Sequence, residues 1–129
     1  MVTFENFAAE DGLPIYLQII RYVKRGVAAG SIADGEELPS RRVLSARLGV
    51  NPNTVQKAYR LLEEGGVITS HAGAKSAVSL DAGAAGRIRA QLLEQEGLHT
   101  VRSLRQMGVG REEALALIGR LWEEKEADE

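Results

Sequence analysis

Cysteine is absent from the sequence. That excludes disulfide scaffolds, thiolate zinc sites and cysteine nucleophiles, and it suits a reducing cytoplasm. Long apolar runs are missing too: no stretch approaches the roughly eighteen residues that a membrane helix needs. Residues 1–11 are acidic and hold no Lys or Arg, so the basic start of an export signal is also lacking. Histidine is scarce, and His71 and His99 lie far apart with no acidic partner at metal-ligand spacing. No nucleophile, base and metal set assembles, so the chain does not read as an enzyme and calls for no cofactor. The acidic pairs Glu94/Glu96 and Glu112/Glu113 read as solvated helix faces, and the second pair also favours a helix N-terminus. Gly73-Ala74-Lys75-Ser76 is no phosphate-binding loop, because its lysine does not directly follow a glycine and no helix comes next.

What is present is the make-up of a globular chain. Its 129 residues are 44% hydrophobic and 26% charged, enough for one compact domain or a small domain with an appendage. A large two-domain enzyme does not fit in that length. The formal net charge is -2, which taken alone argues against a nucleic-acid partner. Its distribution argues the other way. Residues 1–13 carry three acids and no base; residues 14–80 carry nine bases against five acids; residues 81–129 carry seven bases against ten acids. A polyanion-facing module is thus joined to acidic, solvated ends.

Pro14 opens a helical pattern, since proline suits a first turn where no N–H is needed. Ile15, Ile19, Tyr22, Val23 and Val27 follow at helical spacing, and Gly30 stops them. Residues 31–39 read as loop, with Glu37–Leu38 as a very short strand. Ser40 is placed to cap a short helix with Val43, Leu44 and Leu48 facing inward, closed by Gly49. Asn51 caps the next helix, Pro52 takes its first position, and Val50 with Val55 forms a hydrophobic staple. That helix runs to about Glu64. Strands are expected over 67–70 and 77–80, around a turn containing Gly73. A small-residue linker and two further helices, at about 87–107 and 111–125, complete the chain.

Two short helices, a tight turn and a hairpin, in that order, are the parts of a winged helix-turn-helix. The expected fold is therefore mainly α with a small β-hairpin. It comprises an N-terminal arm (1–13), the winged helix-turn-helix (14–80), a linker (81–86) and a two-helix dimerisation segment (87–129). On the second short helix, Val55, Ala58, Tyr59 and Leu62 share the buried stripe. Asn53, Thr54, Gln56, Lys57 and Arg60 fall on the opposite arc. Neutral hydrogen-bonders mixed with bases are what base edges and phosphates require together. Arg41 and Asn51, at the starts of the two helices, belong to the same candidate surface. A winged-helix module that binds protein and not DNA is the alternative; the polar, acid-free arc disfavours it.

These residues also carry a resemblance. Pro14-Ile15-Tyr16 with Gln18-Ile19, then Leu38-Pro39-Ser40-Arg41-Arg42, then Leu48 through Val55, then Ala58-Tyr59 and Leu62-Glu63 with Gly65 or Gly66, resemble the GntR family of bacterial transcriptional regulators. The match spans residues 14–80. It implies a DNA-binding repressor acting as a homodimer on a palindromic operator. Arg42 matches the family arginine that grips the operator, Asn53, Thr54 and Gln56 match recognition-helix contacts, and Ser40 and Lys57 match positions near phosphate. The family wing usually reads Gly-x-Gly-Thr-Phe-Val, whereas here it is Gly73-Ala74-Lys75-Ser76-Ala77-Val78. Wing contacts from His71, Gly73 and Lys75 rest on that altered pattern.

The C-terminal segment is too short for a separate sensor domain and resembles the YtrA-like subgroup, whose short tail mainly dimerises and whose members often govern transporter operons. Ile88, Leu92, Val101, Leu104 and Met107, then Leu115, Ile118, Leu121 and Trp122, form apolar stripes on helices too few to bury them. A second copy would cover them, with two-fold symmetry matching a palindrome. The alternative is that the helical pair folds back on its own DNA-binding module; the use of a dimer on two half-sites favours the former. A small-molecule effector would find room only at the dimer seam or between the modules.

Overall fold

The computed structural model describes residues 1–71 and 75–128, with side chains through Glu124. The described residues form two compact units, Met1–Gln91 and Leu92–Glu129. In the first, α1 (Ile15–Ala29) starts directly after Pro14 and stops at Gly30, whose φ of +82° is in the left-handed region open to glycine. Then come β1 (Glu37–Leu38), α2 (Arg41–Leu48), α3 (Pro52–Glu64), β2 (Ile68–His71) and β3 (Lys75–Val78). The strands form an antiparallel sheet in the order β1-β3-β2, with Leu38 opposite Ser76 and Ile68 opposite Val78. The short strand at Glu37–Leu38 thus turns the expected hairpin into a three-stranded sheet.

The hydrophobic core joins Ile19 and Val23 of α1, Leu44 of α2 and Val55, Ala58, Tyr59 and Leu62 of α3, all fully buried. Two side chains correct the expected pattern. Val43 is 44% exposed, while Leu44 is at 0%. Leu44, Ser45 and Leu48 set the inward direction of this short helix, and Val43, about 100° round the axis from Leu44 on the far side, turns to solvent. Ser45 is buried instead and donates its hydroxyl to the carbonyl of Arg42 at 2.9 Å. The strands are also displaced from 67–70 and 77–80. The carbonyl of Val67 accepts the N–H of Ser79, and the Asp34 carboxylate accepts that of Leu80 at 2.8 Å, so residues 79–80 follow the end of β3.

The N-terminal residues are part of this core. Val2 and Phe4 are buried, Phe4 stacks on Tyr22 with centroids 4.8 Å apart, and Phe7 meets Tyr22 edge-on. Polar ties hold the segment down. The N–H of Val2 donates to the carbonyl of Glu37 at 2.7 Å, and the hydroxyl of Tyr22 donates to that of Thr3 at 2.9 Å. Buried Gln18 donates to the carbonyls of Glu10 and Leu13 and accepts the N–H of Glu10, so its amide is satisfied. Between this segment and α1 lies a cleft of about 600 Å³, with Phe7, Arg21, Tyr22 and Ile32 among its walls. Space for a small molecule therefore exists inside the first unit, not only at a dimer seam or between modules.

Helix α4 (Ala84–Gln106) opens inside the segment expected as linker, with the Asp81 carbonyl accepting the N–H of Ala84. Ile88 packs against the core of the first unit, so it does not belong to an open apolar stripe. In the second unit, Gly108 (φ +76°) breaks the chain before α5 (Arg111–Asp128). Val101, Met107, Leu115, Ile118, Leu121 and Trp122 are exposed there, and Leu92 and Leu104 are half-buried.

The contrast on α2 is testable. Leu44→Ala should cost about 2–5 kcal/mol of stability in urea unfolding. Val43→Ala, one residue earlier, should change it by no more than about 0.5 kcal/mol.

Candidate nucleic-acid interface

The turn between α2 and α3 is built from local chemistry. Ser40 caps α2 by accepting the N–H of Val43 at 3.2 Å, and Gly49 (φ +68°) closes it in a conformation that L-residues with a Cβ rarely adopt. The N–H of Val50 returns to the Ser45 carbonyl. Asn51 then caps α3: its side-chain oxygen accepts the N–H of Asn53 at 2.8 Å, and Pro52 occupies the first turn. These bonds leave the Ser40 hydroxyl able to donate and the Asn51 amide group free to donate as well.

The burial of Val55, Ala58, Tyr59 and Leu62 fixes the rotation of α3. Asn53, Gln56, Lys57 and Arg60 are consequently exposed together, with Thr54 half-buried at their edge. From residue 38 to residue 62 the chain holds Arg41, Arg42, Arg47, Lys57 and Arg60 and no acid. The arc can thus offer amide and hydroxyl groups to base edges and cations to phosphates.

The cations are not equivalent. Arg42 is exposed, as a phosphate contact requires. Arg41 is half-buried: its guanidinium lies 5.3 Å from the ring centroid of Tyr59, and Nη2 donates to the Ser70 hydroxyl at 3.5 Å. Its Nε is enclosed with no partner. Arg41 thus joins α2 to the wing strand β2. Lys57 Nζ sits 4.0 Å from the ring centroid of Tyr16 on α1, although the lysine itself is exposed. Neither aromatic partner follows from spacing within α2 or α3, because each contact crosses between elements.

Ser70 is a junction that sequence reasoning missed. Its N–H and hydroxyl both donate to the carboxylate of Glu63, at 3.3 and 3.2 Å, and its hydroxyl lies 3.4 Å from that of buried Ser76. The end of α3 is thereby tied to the wing. His71 and Lys75 face each other across β2 and β3 and are exposed, with His71 Nε2 3.3 Å from the Thr69 hydroxyl. Gly73 lies outside the described residues. Among the described residues no cluster of three metal-ligating side chains occurs, and no helix is long and apolar enough to cross a membrane.

Tyr59 anchors the back of α3. Its hydroxyl donates to the Pro39 carbonyl at 2.7 Å inside the core. Burial pushes the phenol well above its usual range, and the nearby Arg41 charge offsets part of that rise.

Comparison with known proteins places these features in a lineage. The family model described as "Bacterial regulatory proteins, gntR family" matches residues 15–78. The HTH-type transcriptional repressor YtrA of Bacillus subtilis is 42% identical over 69 residues, 54% of this chain and 53% of that protein. The chain thus spans about half the length of that relative, and it spans 28% of another curated regulator it matches. Among solved structures, a GntR family transcriptional regulator from Listeria monocytogenes superposes with a TM-score of 0.77 at 28% identity, covering 87% of this chain and 98% of its own. YtrA from Sulfolobus acidocaldarius, a GntR-family transcription factor, gives 0.55 at 30% identity over 75% of this chain and 99% of its own.

The Tyr59 bond sets a pH signature. Tyr59→Phe leaves the Pro39 carbonyl without its donor and should cost about 1–3 kcal/mol at neutral pH. Because folding raises this phenol's pKa, the wild type loses stability as pH climbs above the ordinary tyrosine value of 10.0. The stability gap between wild type and Tyr59→Phe, from urea titrations at pH 8 to 11, should therefore narrow toward alkaline pH.

Proposed function

Because the chain belongs to the GntR family of bacterial regulatory proteins, we propose that it is a sequence-specific transcriptional regulator. On this reading it acts as a repressor in the bacterial cytoplasm and binds a palindromic operator as a homodimer. The observation that carries it is the exposed, acid-free arc of α3 held outward by a fully buried opposite face. Asn53, Thr54 and Gln56 read base edges in the major groove. Arg42, Lys57 and Arg60 neutralise phosphates, with Ser40 and Asn51 donating at the rim and His71 and Lys75 reaching out from the wing. Arg41, braced against Tyr59 and Ser70, adds its charge at the wing side of this surface.

The dimer is carried by the second unit. Val101, Leu115, Ile118, Leu121 and Trp122 expose more apolar surface than a short helical pair leaves uncovered without cause. A second copy covers it and sets two recognition helices on one face of the duplex. For a small-molecule effector, the cleft over α1 offers room. The YtrA-like resemblance points to a transporter operon as the target.

Fluorescence anisotropy against duplex from the chain's own upstream region tests this reading at two salt concentrations. The expected result is tight, salt-sensitive binding to a two-fold site. Equal affinity for scrambled duplex would contradict it. Arg42→Ala should weaken binding across all sequences, whereas Gln56→Ala should cost about 1–3 kcal/mol at one base pair per half-site. Ile118→Glu should sediment as a monomer and lose roughly a hundredfold in operator affinity, because the second half-site no longer binds as part of the same particle.

A further inference from the structure

We infer that Tyr16 is a positioning residue for the DNA interface: its ring holds the Lys57 ammonium in place on the groove-facing side of α3. The inference rests on the regulator reading above and adds to it a residue that lies outside the helix-turn-helix. Lys57 Nζ stands 4.0 Å from the Tyr16 ring centroid, within cation–π distance. The lysine is nonetheless exposed, so the ring covers one side of the ammonium and leaves the other open. An ammonium carries three donors. Those on the open side remain available to a phosphate while the ring still holds the first.

Free lysine side chains are flexible, and fixing one against a phosphate costs rotamer entropy at the moment of binding. The Tyr16 ring removes part of that cost beforehand, since Lys57 is already restrained in the unbound protein. Tyr16 is well placed to do this. It sits in the first turn of α1, is half-buried, and packs against the core into which α3 also sends its stripe. The contrast with Arg41 sharpens the point. That guanidinium also meets a ring, but it is half-buried, bonded to Ser70 and turned into the fold. One cation–aromatic pair is structural; the other keeps its charge on the surface.

The test has two readouts. In the unbound protein, NMR should find the Lys57 side-chain methylene protons shifted upfield by the ring current, and Tyr16→Leu should remove the shift. In anisotropy titrations with upstream duplex, Tyr16→Leu should weaken binding about two- to fivefold, the share of ordering cost the ring removes, with the salt slope unchanged because Lys57 still reaches its phosphate. Lys57→Met should lower the slope by about one, and Tyr16→Leu added to Lys57→Met should have no further effect. Tyr16→Phe should match the wild type. Replacing that phenylalanine with increasingly fluorinated rings, which keep the shape and drain the ring face, should weaken binding step by step even if Tyr16→Leu fails to fold. A flat fluorination series, additive losses in the double variant, or unshifted Lys57 protons would overturn the role of Tyr16 alone. A wild type that binds no DNA would overturn the regulator reading and this role with it.

Discussion

The interface depends on one constraint, the complete burial of a single face of α3. Val55, Ala58, Tyr59 and Leu62 are all fully buried in the one core that α3 shares with α1, α2 and β2. Burying Val55 and Leu62 stabilises by about 1.5–3 kcal/mol apiece, far more than any exposed contact on the opposite arc. The direction in which Asn53, Gln56, Lys57 and Arg60 point is therefore decided from behind. Tyr59 adds a directional element, since its hydroxyl must find the Pro39 carbonyl. That bond locks α3 to the residue just ahead of α2, and so fixes the two helices of the motif to each other.

The wing is coupled to the same helix by polar contacts. Glu63 at the end of α3 takes both donors of Ser70, and Arg41 reaches Ser70 from the start of α2. A rotation of α3 would break the Glu63 bonds and expose the core stripe together. Such a scaffold suits recognition, because groups that read base edges need to be held by rigid elements.

Much of this was legible in the sequence, and the part that was not has a common cause. The caps at Ser40 and Asn51, the stops at Gly30 and Gly49 and the stripe of α3 depend on residues within a few positions of each other. Each follows from local periodicity and turn chemistry. The displaced strands and the inward Arg41 depend on partners distant in sequence. β3 takes its register from β1 and β2 together, and Leu80 is claimed by Asp34. Tyr16 beneath Lys57 and Val2 in the core are likewise long-range encounters that no window of spacing encodes. Ile88 matched an apolar stripe, yet the start of α4 belongs to the first unit, and its side chain is spent on that core.

The net charge of -2 is a sum over parts with opposite tasks. The bases of α2 and α3 sit on an arc without acids, while α5 carries acids in its first turn and along its length. A titration of the ¹⁵N-labelled protein with operator duplex, followed through its side-chain N–H resonances, tests this division most directly. The account predicts that the carboxamide signals of Asn53 and Gln56 shift on binding, while the indole signal of Trp122 stays where it was in free protein. Shifts confined to the indole and the α5 amides, with Asn53 and Gln56 unmoved, would contradict it.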